Sequence, residues 1–143
     1  MGIPTSVTIR EVGPREGLQT QTGTVPTKDK IEFIDGLTLT GLREIEVTSF
    51  VRPDRVPQMA DAEDVLKGIE KKKGVRYSAL YLNEKGFERA EAAGAQNRGW
   101  IYTAASEMFL RKNNNTSHDE VVQSVPAWLK LFGKYEKKVH GVM

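Results

Sequence analysis

Four times along the 143 residues, a β-branched, apolar stretch gives way to a helical repeat, and this alternation limits the possible folds more than any other feature. The stretches SVTIREV (6–12), LREIEVT (42–48), VRYSALYL (75–82) and RGWIYTAAS (98–106) read as strands. Between them, Pro26 and Thr27 open a helix with Ile31, Ile34 and Leu37 three apart, closed near Gly41. Asp61 can cap a second helix with Val65, Leu66 and Ile69 on its apolar side, running to Gly74, and NEKGFERAEAAG (83–94) forms a third. Ser117 and Glu120 make a capping box for a last helix, with Val121, Val122, Val125, Trp128, Leu129 and Phe132 on its apolar side. Pro126 should kink or split that helix, and VHGVM (139–143) begins a fifth strand. Strands alternating with helices predict a parallel sheet with helices outside it. A closed eight-fold barrel typically takes ~250 residues, so this chain has the length of about half of one. An open, doubly wound sheet fits the length as well.

The connections are unequal, and the long ones mark where chemistry belongs. Residues 13–26, 49–60 and 107–116 read as loops after strands one, two and four, at the carboxyl ends of the strands, where ligands bind in either architecture. In the first loop, EVGPREGLQT, Gly13, Pro14 and Gly17 fix a tight path. Held on it are Arg15, an always-charged planar fork, and Glu16, a carboxylate able to bind a hard cation. Alternation in the second strand puts Leu42, Glu44, Glu46 and Thr48 on one face and Arg43, Ile45 and Val47 on the other. Ile45 and Val47 suit the helix-covered side, which aims Glu44 and Glu46 inward. An inward carboxylate is costly without a partner, and Arg15 is the obvious one. An Arg–Glu network that merely fixes the loop would explain the same residues. In the first strand Val7, Ile9 and Glu11 share a face, which sends Arg10 with Thr8 and Val12 into the helix layer, where a guanidinium is unwelcome.

Composition removes several classes of function. Charged residues are 28% of the chain with a formal net charge of +2, so no nucleic-acid surface is expected. The densest basic run, Lys71-Lys72-Lys73, reads as a solvated helix end. Without cysteine there is no disulfide framework and no thiolate site. No apolar run approaches the ~20 residues that span a bilayer. MGIPTSVTIR lacks the profile of a secretory signal. A cytoplasmic protein with no membrane partner is expected. The histidines, His118 and His140, lie far apart.

Four segments carry a resemblance: EVGPREGLQ (11–19), GLREIEVTSFVRPDRVPQMAD (41–61), NEKGFERAEAAGA (83–95) and AASEMFLRKN (104–113). In this order and spacing they resemble the 3-hydroxy-3-methylglutaryl-CoA lyases, within the wider group of metal-dependent aldol and Claisen enzymes that includes pyruvate carboxyltransferase domains. The pattern TSFV-x-P-x-x-VPQM is characteristic of the lyase branch, and the likeness runs from about residue 6 to residue 143. It implies a TIM (β/α)8 barrel, of which this chain carries the first four βα units and the start of strand five, as one domain over residues 1–143. It further implies retro-Claisen cleavage of a 3-hydroxyacyl-CoA, with Mg²⁺ or Mn²⁺ as cofactor. Arg15 falls at the family's catalytic arginine and Glu46 at an acidic residue beside the reacting centre. Glu16 falls at an aspartate that ligates the metal, and is one methylene longer. Gln19, Ser49 and Phe50 fall on loops placed around the substrate.

Family members draw a His-x-His metal pair, an Asn ligand and a catalytic Cys from the barrel's second half, and those residues are not in this sequence. Two classes of function therefore stand side by side. One is a lyase of which this chain is an incomplete form, with a condensing or carboxyl-transferring relative as the variant within that class. The other is a non-catalytic half-barrel that binds a ligand or partner at the same strand ends. A half-barrel has open edges and an inner face carrying Ile9 and Leu42, so pairing with a second copy, or with a missing C-terminal half, is expected.

Overall fold

The second of the expected strands lies at the centre of a sheet. β2 (Glu44–Ser49) is flanked by β1 (Arg10–Glu11) and β3 (Arg76–Leu80), both parallel to it, in the order β1-β2-β3. This computed structural model describes residues 3–141, and the chain divides into two units, Met1–Asn97 and Arg98–Met143. In the first unit, α1 (Thr27–Thr38), α2 (Ala62–Gly68) and α3 (Glu84–Ala92) follow the strands as the alternation requires. Ile45 and Val47 of β2, Tyr77 and Ala79 of β3, Ile34 of α1, Val65 and Leu66 of α2 and Ala90 of α3 form one core, none more than 3% exposed. Helices seated on one face of a parallel sheet bury that face's side chains, which is why Ile45 and Val47 lie where the pattern placed them.

The register corrects the first strand. Arg10 pairs with Glu44, and Glu11 with Ile45. Side chains of residues paired across a sheet lie on the same face, so Arg10 shares the face of Glu44, and Glu11 the face of the core. The expectation had this parity reversed. Glu11 Oε1 instead accepts the Gly13 N–H at 2.6 Å, beside the ring of Phe33. The ladder of β1 is also far shorter than 6–12. Val7 and Ile9 precede it and stand 84% and 66% exposed, so Ile9 lines no buried inner face. Alternation is interrupted in β2 too. Glu46 pairs with Ser78 but Thr48 with Ala79, so Val47 is the extra residue of a bulge.

Two helix ends differ from expectation. α2 stops at Gly68, because Ile69 turns extended and the following amides find side-chain acceptors. Glu70 N–H goes to Asp35 Oδ1 at 2.9 Å and Lys72 N–H to the Tyr77 hydroxyl at 3.1 Å, which places the lysine run beyond the helix. Asp61 stands at the N-cap position of α2 but makes no capping bond. Its carboxylate takes Lys30 Nζ and Thr27 Oγ1, each at 2.7 Å. The outer edge of β3 is met by Gln96 and Asn97: Gln96 N–H donates to Tyr77 O, and the two side-chain carbonyls accept from Tyr77 N–H and Ala79 N–H.

In the second unit, the predicted 98–106 strand is reduced to β4 (Gly99–Trp100), parallel to β5 (Val139–His140) in a separate two-stranded sheet. The rest of the fifth strand, Val142 and Met143, lies outside the described residues. Residues 107–116 are no loop, for α4 (Glu107–Asn114) occupies most of them. Ser106 caps it, accepting the Phe109 N–H, and Asn115 ends it in the left-handed conformation at φ 51°. The capping box of Ser117 and Glu120 opens α5 (His118–Lys134) as expected. Pro126 does not split this helix. The amide that proline lacks would have met the Val122 carbonyl, and Val122 is 69% exposed, so water can take that acceptor. Trp128 and Phe132 are buried, while Val122 and Leu129 face solvent. The apolar stripe is thus narrower than the sequence implied. Among the described residues no helix is long and apolar enough to cross a membrane.

Candidate active site

The segment after β1 winds into a single π-helical turn, Gly13–Gly17, whose first bonds run from the Arg15 and Glu16 amides to the Val12 carbonyl. Pro14 is buried within it and has no amide to satisfy, and the turn throws Arg15 across to β2. There Arg15 Nε donates to Glu46 Oε1 at 2.6 Å. The other end of the guanidinium pairs with Glu16 Oε2. Arg15 and Glu46, predicted from sequence as partners, are therefore brought together, and Glu16 joins them from the same turn.

Glu46 is the most deeply placed of these three charges, with its side chain 5% exposed. Burial of an ionised carboxylate demands compensation, and two guanidinium groups supply it. Arg15 takes one oxygen; Arg10 Nη1 lies 3.7 Å from the other. Two residues earlier, on the same face, Glu44 stands between Arg10 and Arg76 in register, and Arg76 Nε is 3.5 Å from its Oε1. The inner face of this sheet is thus a lattice of alternating charge. Sequence reasoning missed Arg10 and Arg76 as members. The available signal was the period of two, which needed the β1–β2 register to set its parity.

The other candidates divide. Ser49, at the end of β2, is fully buried and its Oγ has no hydrogen-bond partner; Gln19 Oε1, past the π-helical turn, is also buried without one. Polar atoms left so are where a ligand's hydrogen bonds would be gained. Phe50 is different. Its side chain is 2% exposed, belongs to the core and lies under Arg89, 5.3 Å from the ring centroid. Arg89 is held in turn by Glu63. A Cβ on Gly86 would meet the Phe50 carbonyl at 2.6 Å, so glycine there lets α3 approach the end of β2. Beyond Phe50 the loop is open to solvent and carries an Arg52–Asp54 pair, whose hydrogen bond holds the Asp54 carboxyl below the usual carboxylate range.

A divalent cation needs several oxygen or nitrogen ligands converging on one point. Among the described residues no three His, Asp or Glu side chains gather in that way. Glu16 is half exposed and already paired with Arg15. These residues alone do not make a metal site. The histidines are engaged elsewhere: His118 Nδ1 lies 3.0 Å from Glu107 Oε2 and its Nε2 2.7 Å from Ala104 O, and His140 stacks on Trp100.

Known proteins share this arrangement of sequence and fold. Residues 6–143 match the HMGL-like family. The mitochondrial hydroxymethylglutaryl-CoA lyase of Rattus norvegicus is 55% identical over 121 residues, which cover 85% of this chain and 37% of the rat protein. That of Homo sapiens is 52% identical over 139 residues, or 97% of this chain and 42% of the human protein. The crystal structure of the HMG-CoA lyase of Bacillus subtilis superposes with a TM-score of 0.87 at 41% identity, covering 99% of this chain and 48% of that one. A lyase from Acinetobacter baumannii, solved in complex with coenzyme A and 3-methylmalate, gives a TM-score of 0.84 at 31% identity. The chain thus spans less than half the length of the relatives it matches, and its parallel α/β architecture is consistent with part of a barrel. Over that span it is a member of the HMGL-like family.

Proposed function

We propose that this chain supplies the first four βα units of a hydroxymethylglutaryl-CoA lyase-type barrel, as one domain, and with them the arginine that stabilises the reacting oxygen. The observation that carries this reading is the 2.6 Å bond from Arg15 Nε to the buried Glu46, which fixes a guanidinium against the middle of the central strand. In a retro-Claisen cleavage the hydroxyl proton of the 3-hydroxyacyl thioester leaves, the adjacent carbon–carbon bond breaks, and its electrons pass to the thioester as an enolate. Protonation of that enolate carbon yields acetyl-CoA, and the new carbonyl belongs to acetoacetate. Negative charge grows on the thioester oxygen, where a preorganised guanidinium is worth most. Arg15 is that group in this reading, and Glu46 its anchor. Glu46 contacts two guanidinium groups, and its role in this reading is to hold Arg15 in place. Ser49 and Gln19 hold polar atoms that no protein group uses and that a substrate could engage, whereas Phe50 is committed to the core beneath Arg89.

The resemblance also implies Mg²⁺ or Mn²⁺. Among the described residues the donor set for such a cation is not assembled. Acyl-CoA is the substrate class on this reading, with a second copy or the remaining length of a lyase-like chain meeting the sheet edges. A non-catalytic half-barrel binding the same ligands is the competing reading.

The test is a chimera that continues this chain with the remaining segment of the Bacillus subtilis relative. Release of acetoacetate from hydroxymethylglutaryl-CoA, lost on Arg15→Ala, is expected. A folded chimera that is inert while the parent relative is active would contradict the proposal.

A further inference from the structure

Arg15 has two carboxylates to serve before any substrate arrives. Its Nε is committed to Glu46 and the other end of its fork to Glu16. In the reading above, Arg15 must turn donors towards a substrate oxygen, which withdraws support from a carboxylate that is 5% exposed. A buried charge stripped of its partner is strongly destabilising.

Arg10 is placed to prevent this. The register sets it beside Glu44, and its long side chain slants one pleat further to lie 3.7 Å from Glu46 Oε2, the oxygen Arg15 does not take. That separation is an ion pair with room to close. The Arg10 side chain is 45% exposed, so its own charge is solvated and costs little to hold in reserve. Glu44, its neighbour in register, has a cation of its own in Arg76. We propose that Arg10 is the reserve counter-ion of Glu46, a positioning residue that keeps the buried carboxylate compensated while Arg15 engages a carbonyl or anionic oxygen of the ligand. The proposal rests on the assignment of Arg15 to the substrate oxygen, and it extends the site to a strand position outside the loop motif.

A double-mutant cycle on the purified chain tests it, with Arg10→Met and Arg15→Met made singly and together and unfolding followed in urea. Arg10→Met alone should change the unfolding constant by less than ~threefold, and the pair should exceed the product of the singles by at least ~tenfold. Glu46→Gln added to the pair should restore stability, because it removes the stranded charge. In the Arg15→Met background, Arg10→Lys should behave as Arg10 does. Additive singles, no rescue by Glu46→Gln, or a lysine no better than methionine would overturn the proposal. Should Arg15→Met fail to fold, Arg15→Lys gives the same cycle with the Nε bond removed. A second measurement titrates 3-hydroxy-3-methylglutarate while the Arg15 Nε–H resonance is observed. A shift weakened by Arg10→Met and kept by Arg10→Lys is expected. No response in any version would count against Arg15 as the substrate-binding group, while the urea cycle decides on Arg10 separately.

Discussion

In the first unit, β2 keeps five of its six residues buried; in the second, β4 pairs through two residues and buries one of them, Gly99. The difference follows from neighbours. β2 has a strand on each side and helices over one face, so every residue gains either a ladder bond or a packing partner. β4 has β5 alone. The second unit gathers its buried apolar groups on helices instead, with Leu110 on α4 and Trp128 and Phe132 on α5. A parallel strand is stable in proportion to what flanks it, and a strand-like sequence without flanks remains largely irregular.

The largest effect should come from emptying each core in turn. Phe132→Ala removes a fully buried ring and should cost about 3–5 kcal/mol, against about 2–5 kcal/mol for Ile45→Ala. Both tryptophans, Trp100 and Trp128, lie in the second unit, so their fluorescence reports that unit alone. Phe132→Ala should lower the urea midpoint of the fluorescence. Ile45→Ala should act first on amide protection in β2 and β3. Equal loss of both signals in both variants would erase the distinction between the two regions.

A smaller effect is expected at the buried ion pair of the first unit. Lys30 is 3% exposed and donates to Asp61 and to the Gln58 carbonyl, tying α1 to the start of α2. Lys30→Met strands the Asp61 carboxylate and should cost about 3 kcal/mol in urea unfolding. Adding Asp61→Asn should recover most of that. No recovery would show that the lysine acts through packing of its stem rather than through charge.

Smaller still is the capping box of α5. Ser117→Ala should cost about 1 kcal/mol and speed amide exchange at Val121. The Glu120 carboxyl is held below its usual range, first by the Ser117 backbone N–H and then by its hydroxyl. A carboxyl lowered in the folded state stabilises it above the unfolded value and ceases to do so as the pH falls through the folded value. Acidification should therefore fray the start of α5 while β2 stays protected. Protection at Val121, relative to an unstructured amide at the same pH, that stays constant between neutral and the acid carboxylate range would contradict this.

These contrasts also show what the sequence could and could not reveal. Ile45, Val47, Ile34, Leu66 and the Ser117–Glu120 box were legible because each depends on spacing within its own element. The Arg15–Glu46 pair was legible because a buried carboxylate needs a cation and Arg15 sits on the tight turn that follows the neighbouring strand. The parity of β1 was not, since two paired residues set it and the apolar Val7 and Ile9, outside the ladder, suggested the opposite. The bulge at Val47 and the substitution of Gln96 and Asn97 side chains for a strand edge depend on tertiary partners that no local pattern encodes. The α4 helix had a local signal, Ser106 followed by Glu107 at a helix start, which the reading of 107–116 as a loop between strand four and the last helix passed over.

Arg15 is anchored to Glu46 within this chain, before any further segment or ligand is added. The direct measurement is the Nε–H resonance of Arg15 in a nitrogen-15 spectrum near pH 7, assigned by its loss in Arg15→Lys. A slowly exchanging signal, displaced from that of the solvent-exposed Arg55 and collapsing towards it on Glu46→Gln, is the predicted result. An Arg15 Nε–H that exchanges as fast as that of Arg55 and does not change on Glu46→Gln would contradict it.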